Sequence, residues 1–63
     1  MKKATARQMA REIHGFVVGN NADLHEVLDD YTFGMAEKDY YLVEDTYYEM
    51  EKAGEFADVT GVQ

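Results

Sequence analysis

His14 and His25 are the only histidines, and His25 stands four residues before Asp29. On a helix that spacing puts both side chains on one face, where they could meet one metal ion. Two ligands do not complete a site. Zinc takes at least three protein donors, and the chain has neither a cysteine nor an H-E-x-x-H run to supply the rest. The plainer reading is an exposed, polar His25 and a His14 bordering an apolar stripe. Carboxylates are plentiful, 13 in 63 residues, and paired carboxylates can do acid–base work. Asp29-Asp30 and Glu44-Asp45 are adjacent pairs, however, and neighbouring helical residues point about 100° apart. Neither pair converges on one substrate atom. Serine is absent, which removes a Ser/His/Asp set, and there is no glycine-rich phosphate loop or nucleophile elbow. The reading is of a protein that is not an enzyme, with no catalytic residue, no metal and no cofactor assigned.

The tyrosines carry more information. Tyr40-Tyr41 and Tyr47-Tyr48 repeat at seven residues, interleaved with Glu44, Asp45, Glu49 and Glu51. Aromatic residues on a basic surface would suggest stacking on nucleic-acid bases. On an acidic surface they point to a protein interface, where tyrosine is enriched at hot spots. The plainer alternative places Tyr40 and Tyr47 in the core and Tyr41 and Tyr48 at a dimer seam.

Three helical segments must position these groups. Residues 4–18 show Ala6, Met9, Ala10, Ile13, Phe16 and Val17 at spacings of three and four, one apolar stripe, with Arg7, Gln8, Arg11, Glu12 and His14 off it. Thr5 is the expected N-cap, and Gly19 can take the left-handed conformation that ends the helix. Residues 22–33 show Leu24, Val27, Leu28 and Tyr31 against a wet face of His25, Glu26, Asp29 and Asp30, with Asn20 and Asp23 resembling a capping box. Gly34 can break the chain. Residues 35–53 form the longest apolar face: Ala36, Tyr40, Val43, Tyr47 and Met50, flanked by Tyr41 and Tyr48. Gly54 caps that end. Residues 54–63 show no period and are expected to be a frayed, flexible tail, with Phe56 the residue able to dock.

The fold expected is therefore all-α: three short helices in one small domain spanning 1–63. A chain this short buries only about 60% of its unfolded surface, and small scaffolds without metals or disulfides often gain stability by oligomerising. The third helix has two oily flanks, more than two short partners are expected to cover. That argues for a homodimeric helical bundle with Tyr40, Tyr41, Val43, Tyr47, Tyr48 and Met50 at the interface. The absence of cysteine excludes a disulfide framework or zinc finger. No apolar run approaches the ~20 residues of a spanning helix, and Arg7, Gln8, Arg11 and Glu12 interrupt any secretion signal. The expectation is a cytoplasmic protein with no membrane contact.

Charge divides the chain. Residues 1–21 hold four cations against Glu12, a balance of +3; residues 22–63 hold Lys38 and Lys52 against twelve acids, a balance of −10; together these give the net −7. Asp29, Asp30, Glu44, Asp45, Glu49 and Glu51 form the candidate acidic face. It could serve only as a solvated surface, could be crossed by the basic first helix, or could meet a basic partner or stand in for a nucleic-acid backbone. A helix-turn-helix reading fails on its would-be recognition helix, which bears Asp23, Glu26, Asp29 and Asp30 and no cation. Only the first helix, through Lys2, Lys3, Arg7 and Arg11, could touch nucleic acid, which is not the expected partner.

A chain of 63 residues that starts MKKATARQMAREIHG, lacks cysteine and is acidic and helical resembles the small early accessory proteins of lambdoid bacteriophages, the short open reading frames of the exo–xis region. No functional residue is carried over from that likeness. The resemblance implies a helical protein in the host bacterial cytoplasm, influencing host physiology or the lysis–lysogeny decision through contacts with a host or phage protein. The leading expectation is a non-enzymatic regulatory protein acting through its acidic, tyrosine-bearing face. The alternative is a nucleic-acid-mimicking inhibitor of a host defence or DNA-processing enzyme. The third is a DNA-binding regulator using Arg7 and Arg11.

Overall fold

Strong helix formers fill the start of the chain, with Ala4, Ala6, Arg7, Gln8, Met9 and Ala10 interrupted only by Thr5 and without proline. In a computed structural model, which describes residues 1–58, they open helix α1 (Lys3–Asn20); α2 (Leu24–Tyr31) and α3 (Glu37–Lys52) follow. The described residues contain helices and turns and no strand. The all-α expectation holds; the bounds differ from 4–18, 22–33 and 35–53 by one to two residues at each end, and the caps explain why. Lys2, not Thr5, occupies the α1 N-cap position, in extended conformation and without a side-chain cap. Gly19 stays helical, and Asn21 takes the left-handed conformation instead, at φ 51°. Ala22 N–H donates to the Val17 carbonyl at 3.0 Å and closes that end. Asparagine tolerates this region because its short polar side chain bonds locally.

Asp23, rather than Asn20, caps α2, its carboxylate accepting from Glu26 N–H at 3.2 Å. Thr32 stops the helix, and its hydroxyl donates to the Leu28 carbonyl at 2.8 Å. A β-turn follows, with Met35 N–H on the Thr32 carbonyl at 2.9 Å. Gly34, at φ 84°, has the conformation a type II turn demands of its third residue. α3 begins with Glu37 and Asp39 in its first turn and ends with Lys52 in its last, an order that suits the helix dipole. Its C-terminus is a Schellman motif: Glu55 N–H reaches the Met50 carbonyl at 2.9 Å and Gly54 N–H the Glu51 carbonyl at 3.1 Å, around Gly54 at φ 76°.

That motif turns the following residues back onto the helices. Phe56 is buried, so the tail is not frayed over residues 54–58; the same expectation for 59–63 lies outside the described residues. The core joins Ala6, Ala10 and Ile13 of α1, Val27 and Leu28 of α2, Val43, Tyr47 and Met50 of α3, and Phe56. α1 is the element against which both other helices pack. The total exposed area is 4163 Å², against about 4100 Å² expected for a folded monomer of this mass. The radius of gyration is 11.0 Å, against about 11 Å for a compact chain of this length. Both values are those of a compact folded chain of this size.

Two expectations change accordingly. Val43, Tyr47 and Met50, placed at a dimer interface by sequence, are buried within the single chain. α1 packs against α3 and Phe56 against Tyr47, cover that helix periodicity alone does not count. Phe16, placed on the α1 core stripe, is 49% exposed, because α2 and α3 are centred on Ala6, Ala10 and Ile13. Phe33 sits on the β-turn, 92% exposed.

Two stability results follow. Phe56→Ala should cost about 3 kcal/mol in denaturant unfolding, as a core phenylalanine does, while Phe33→Ala should stay within about 0.5 kcal/mol of wild type. Thr46 is fully buried in α3 and its hydroxyl has no hydrogen-bond partner; Thr46→Val should therefore raise stability by about 1 kcal/mol in the same measurement.

Candidate functional surface

Lys3, Arg7 and Arg11 stand four apart, which makes a single row along α1. The row meets the acidic half of the same chain. Lys3 Nζ lies 2.7 Å from Glu49 Oε1, and Arg7 pairs with Glu55. Arg11 donates to Asp58 Oδ2 at 2.7 Å and to the Glu55 carbonyl at 3.1 Å. Of the readings open for the charge asymmetry, the one in which the basic helix crosses the acidic remainder within one chain describes these contacts. The Arg11 hydrogen bond holds the Asp58 carboxyl below the usual carboxylate range, partly opposed by desolvation. All these groups are solvent-exposed, so each pair is weak and salt-sensitive. They join the turn after α3 to α1.

His14 and Phe56 complete that junction. Their rings stack at 4.2 Å and 7°, and His14 Nδ1 lies 2.8 Å from the Tyr47 hydroxyl. Phe56 also tilts against Tyr47 at 5.0 Å. Burial, then Glu51 and Tyr48, push the Tyr47 hydroxyl above its ordinary pKa. Phe56 and Tyr47 are buried in this contact and His14 is half-buried. Sequence periodicity could not find it, because Phe56 lies two residues beyond Gly54 and belongs to no helical pattern.

The surface between α2 and α3 is different. Tyr41, Glu44, Asp45 and Tyr48 occupy relative positions 0, 3, 4 and 7 of α3, which is one helix face. Tyr41 is 50% exposed and Tyr48 42% exposed. Tyr40 is half-buried beside them, its ring edge-on to Tyr41 at 5.3 Å; Tyr48 meets Tyr47 edge-on at 5.8 Å. Burial pushes the Tyr40 hydroxyl above its ordinary pKa, and Glu44, then Asp29 from α2, then Tyr41 and Tyr48 act in the same direction. The fold thus sets Tyr40 against Tyr41, with Glu44 and Asp29 acting on the Tyr40 hydroxyl. His25 Nε2 approaches Glu44 Oε2 at 3.8 Å across the same junction, which is where that histidine is used.

Of the six carboxylates in the candidate acidic face, Glu49 is drawn to Lys3 and Glu44 to His25. Asp29, Asp30, Asp45 and Glu51 are exposed and make no ion pair among the described residues. No cluster of three metal-ligating side chains and no pocket forms among the described residues, and no helix of the structure is long and apolar enough to cross a membrane. No family model, curated protein or solved structure matches the chain.

Both electrostatic features are measurable. Asp58 should titrate below a free aspartate by NMR and return to the ordinary range in Arg11→Ala. Because its folded pKa is depressed, the stability it contributes is present at neutral pH and lost as pH falls through that folded value. Tyr40 and Tyr47 have raised pKa values, so the linkage runs the other way. Unfolded tyrosines ionise first, near 10.0, and stability should decline as pH rises from there through the folded values. Tyrosinate absorbance and circular dichroism followed together check this.

Proposed function

We propose that the protein is a non-enzymatic regulatory protein that works by binding another protein through the acidic, tyrosine-bearing face of α3 and the adjoining edge of α2. The observation that carries this reading is the pair of half-exposed tyrosines, Tyr41 and Tyr48, one heptad apart among carboxylates that the chain's own cations do not neutralise. The core is closed without help from these two rings. Their exposure therefore has no folding role to explain it, and exposed aromatics ringed by polar groups are the composition of an interface centre.

Charge selects the occupant. Two copies of this face would oppose carboxylate to carboxylate, so a homodimer built on it is disfavoured, and with Val43, Tyr47 and Met50 already covered the apolar incentive for one is reduced. Nucleic acid is repelled. A partner protein with a basic surface fits. In the setting implied by the phage resemblance, that partner is a host or phage protein in the bacterial cytoplasm, and the consequence of binding is a change in host physiology or phage development.

Affinity capture from a bacterial lysate, with wild type and the Tyr41→Ala/Tyr48→Ala double variant compared side by side, tests the reading. The expected result is a protein retained by wild type and reduced at least about tenfold by the double variant, whose circular dichroism is unchanged. Retention should persist in moderate salt. Capture that ignores both tyrosines would remove this surface from the account. Capture that collapses with salt and depends on Asp29, Asp30, Asp45 and Glu51 instead would support nucleic-acid mimicry.

A further inference from the structure

The partner's chemistry can be narrowed further, resting on the protein-binding reading above. We propose that the face formed by Tyr41, Tyr48, Glu44, Asp45 and Asp29 recognises arginine side chains of the partner, two guanidinium groups about 10 Å apart, in preference to lysine.

The spacing comes from the helix. Seven residues at 1.5 Å rise set Tyr41 and Tyr48 about 10 Å apart along α3. Glu44 and Asp45 lie between them on the same face, and Asp29 of α2 acts on the hydroxyl of the neighbouring Tyr40. Both exposed rings are braced by an edge contact from a buried or half-buried neighbour, Tyr40 for Tyr41 and Tyr47 for Tyr48. Braced rings have less rotamer freedom to lose on binding.

The charges leave a defined gap. Lys38 precedes Tyr41 by three residues and Lys52 follows Tyr48 by four, so the cations of α3 bracket the stripe at its ends. The three α1 cations are engaged with Glu49, Glu55 and Asp58. The centre of the stripe keeps its negative charge, with only the 3.8 Å approach of His25 to Glu44 against it. A cation entering there finds carboxylates flanked by half-exposed aromatic rings.

Arginine and lysine use that setting differently. A guanidinium is planar and weakly hydrated, so it can lie on a tyrosine ring while its fork donates two parallel hydrogen bonds to a carboxylate. A lysine ammonium is a strongly hydrated point charge that gains the Coulomb attraction but neither the stacking nor the fork. On a face that offers rings and carboxylates side by side, the difference favours arginine. A second copy of this chain supplies no such pair, since Arg7 and Arg11 are four apart and held by Glu55 and Asp58.

The test uses the full chain and two alanine-based helical peptides. One carries arginine at two positions seven apart; its twin carries lysine at the same positions and has equal charge. In NMR titrations the arginine peptide should shift resonances of Tyr41, Glu44, Asp45, Tyr48 and Asp29 and bind about tenfold tighter than the lysine twin. Tyr41→Ala/Tyr48→Ala should abolish the preference, and Tyr41→Phe/Tyr48→Phe should keep it, because stacking needs the ring. Equal affinity of the twins would overturn the arginine inference. So would shifts that map elsewhere, or no shift with either peptide. The protein-binding reading is judged separately: if capture from lysate still depends on Tyr41 and Tyr48 while the twins bind equally, only the arginine preference has failed.

Discussion

α1 is the constraint on which everything else depends. Ala6 and Ala10 put only a methyl group between its backbone and its neighbours, and Ile13 supplies the one large side chain of the buried row. Small residues let α2 and α3 settle against the same helix, and close packing of this kind is sensitive to single methylenes. α2 and α3 make few contacts with each other, so neither would keep its place without α1. The His25–Glu44 approach is the polar exception across their junction. A change that enlarged Ala6 or Ala10 would separate the helices and disturb the tyrosine face without touching it.

The same helix sorts the charge. Its cationic row has an acidic segment within reach because the Schellman turn at Gly54 sends the chain back toward α1, where Phe56 finds His14 and Tyr47. Burial of Phe56 is the larger contribution, since the flanking ion pairs are exposed and screened. Their role is direction, as opposite charges on the two sides favour this return path over others. Compensation is consequently uneven: the α1 side of the molecule is neutralised, and the α2–α3 side keeps its carboxylates.

Helix existence was legible in the sequence, because spacings of three and four are a property of the chain alone. Helix ends were less so. Thr5, Gly19 and Asn20 are all plausible caps by residue type, and the choice of Lys2, Asn21 and Asp23 is made by where packing lets the chain turn. Gly34 and Gly54 were legible as breaks, since both adopt positive φ that other residues resist. Of the expected interface residues, Tyr40, Tyr41 and Tyr48 do gather on one surface, while Val43, Tyr47 and Met50 belong to the core. The sequence pattern shows how wide an apolar face is; it does not show how much cover arrives from a segment without period, and here Phe56 covers part of that width.

This distinction bears on how exposed aromatics should be read in a chain of this size. A small domain has a high ratio of surface to volume, and some apolar side chains must remain outside. Phe33 and Phe16 are of that kind. Tyr41 and Tyr48 differ because three properties coincide. They share a face, a neighbouring ring braces each, and Glu44 and Asp45 lie between them, Asp45 without an ion pair among the described residues. Solubility alone would be served by carboxylates on any face. Rings held beside unpaired carboxylates add a chemistry that solubility does not require, and that coincidence, rather than exposure by itself, is what supports the protein-binding proposal for this surface.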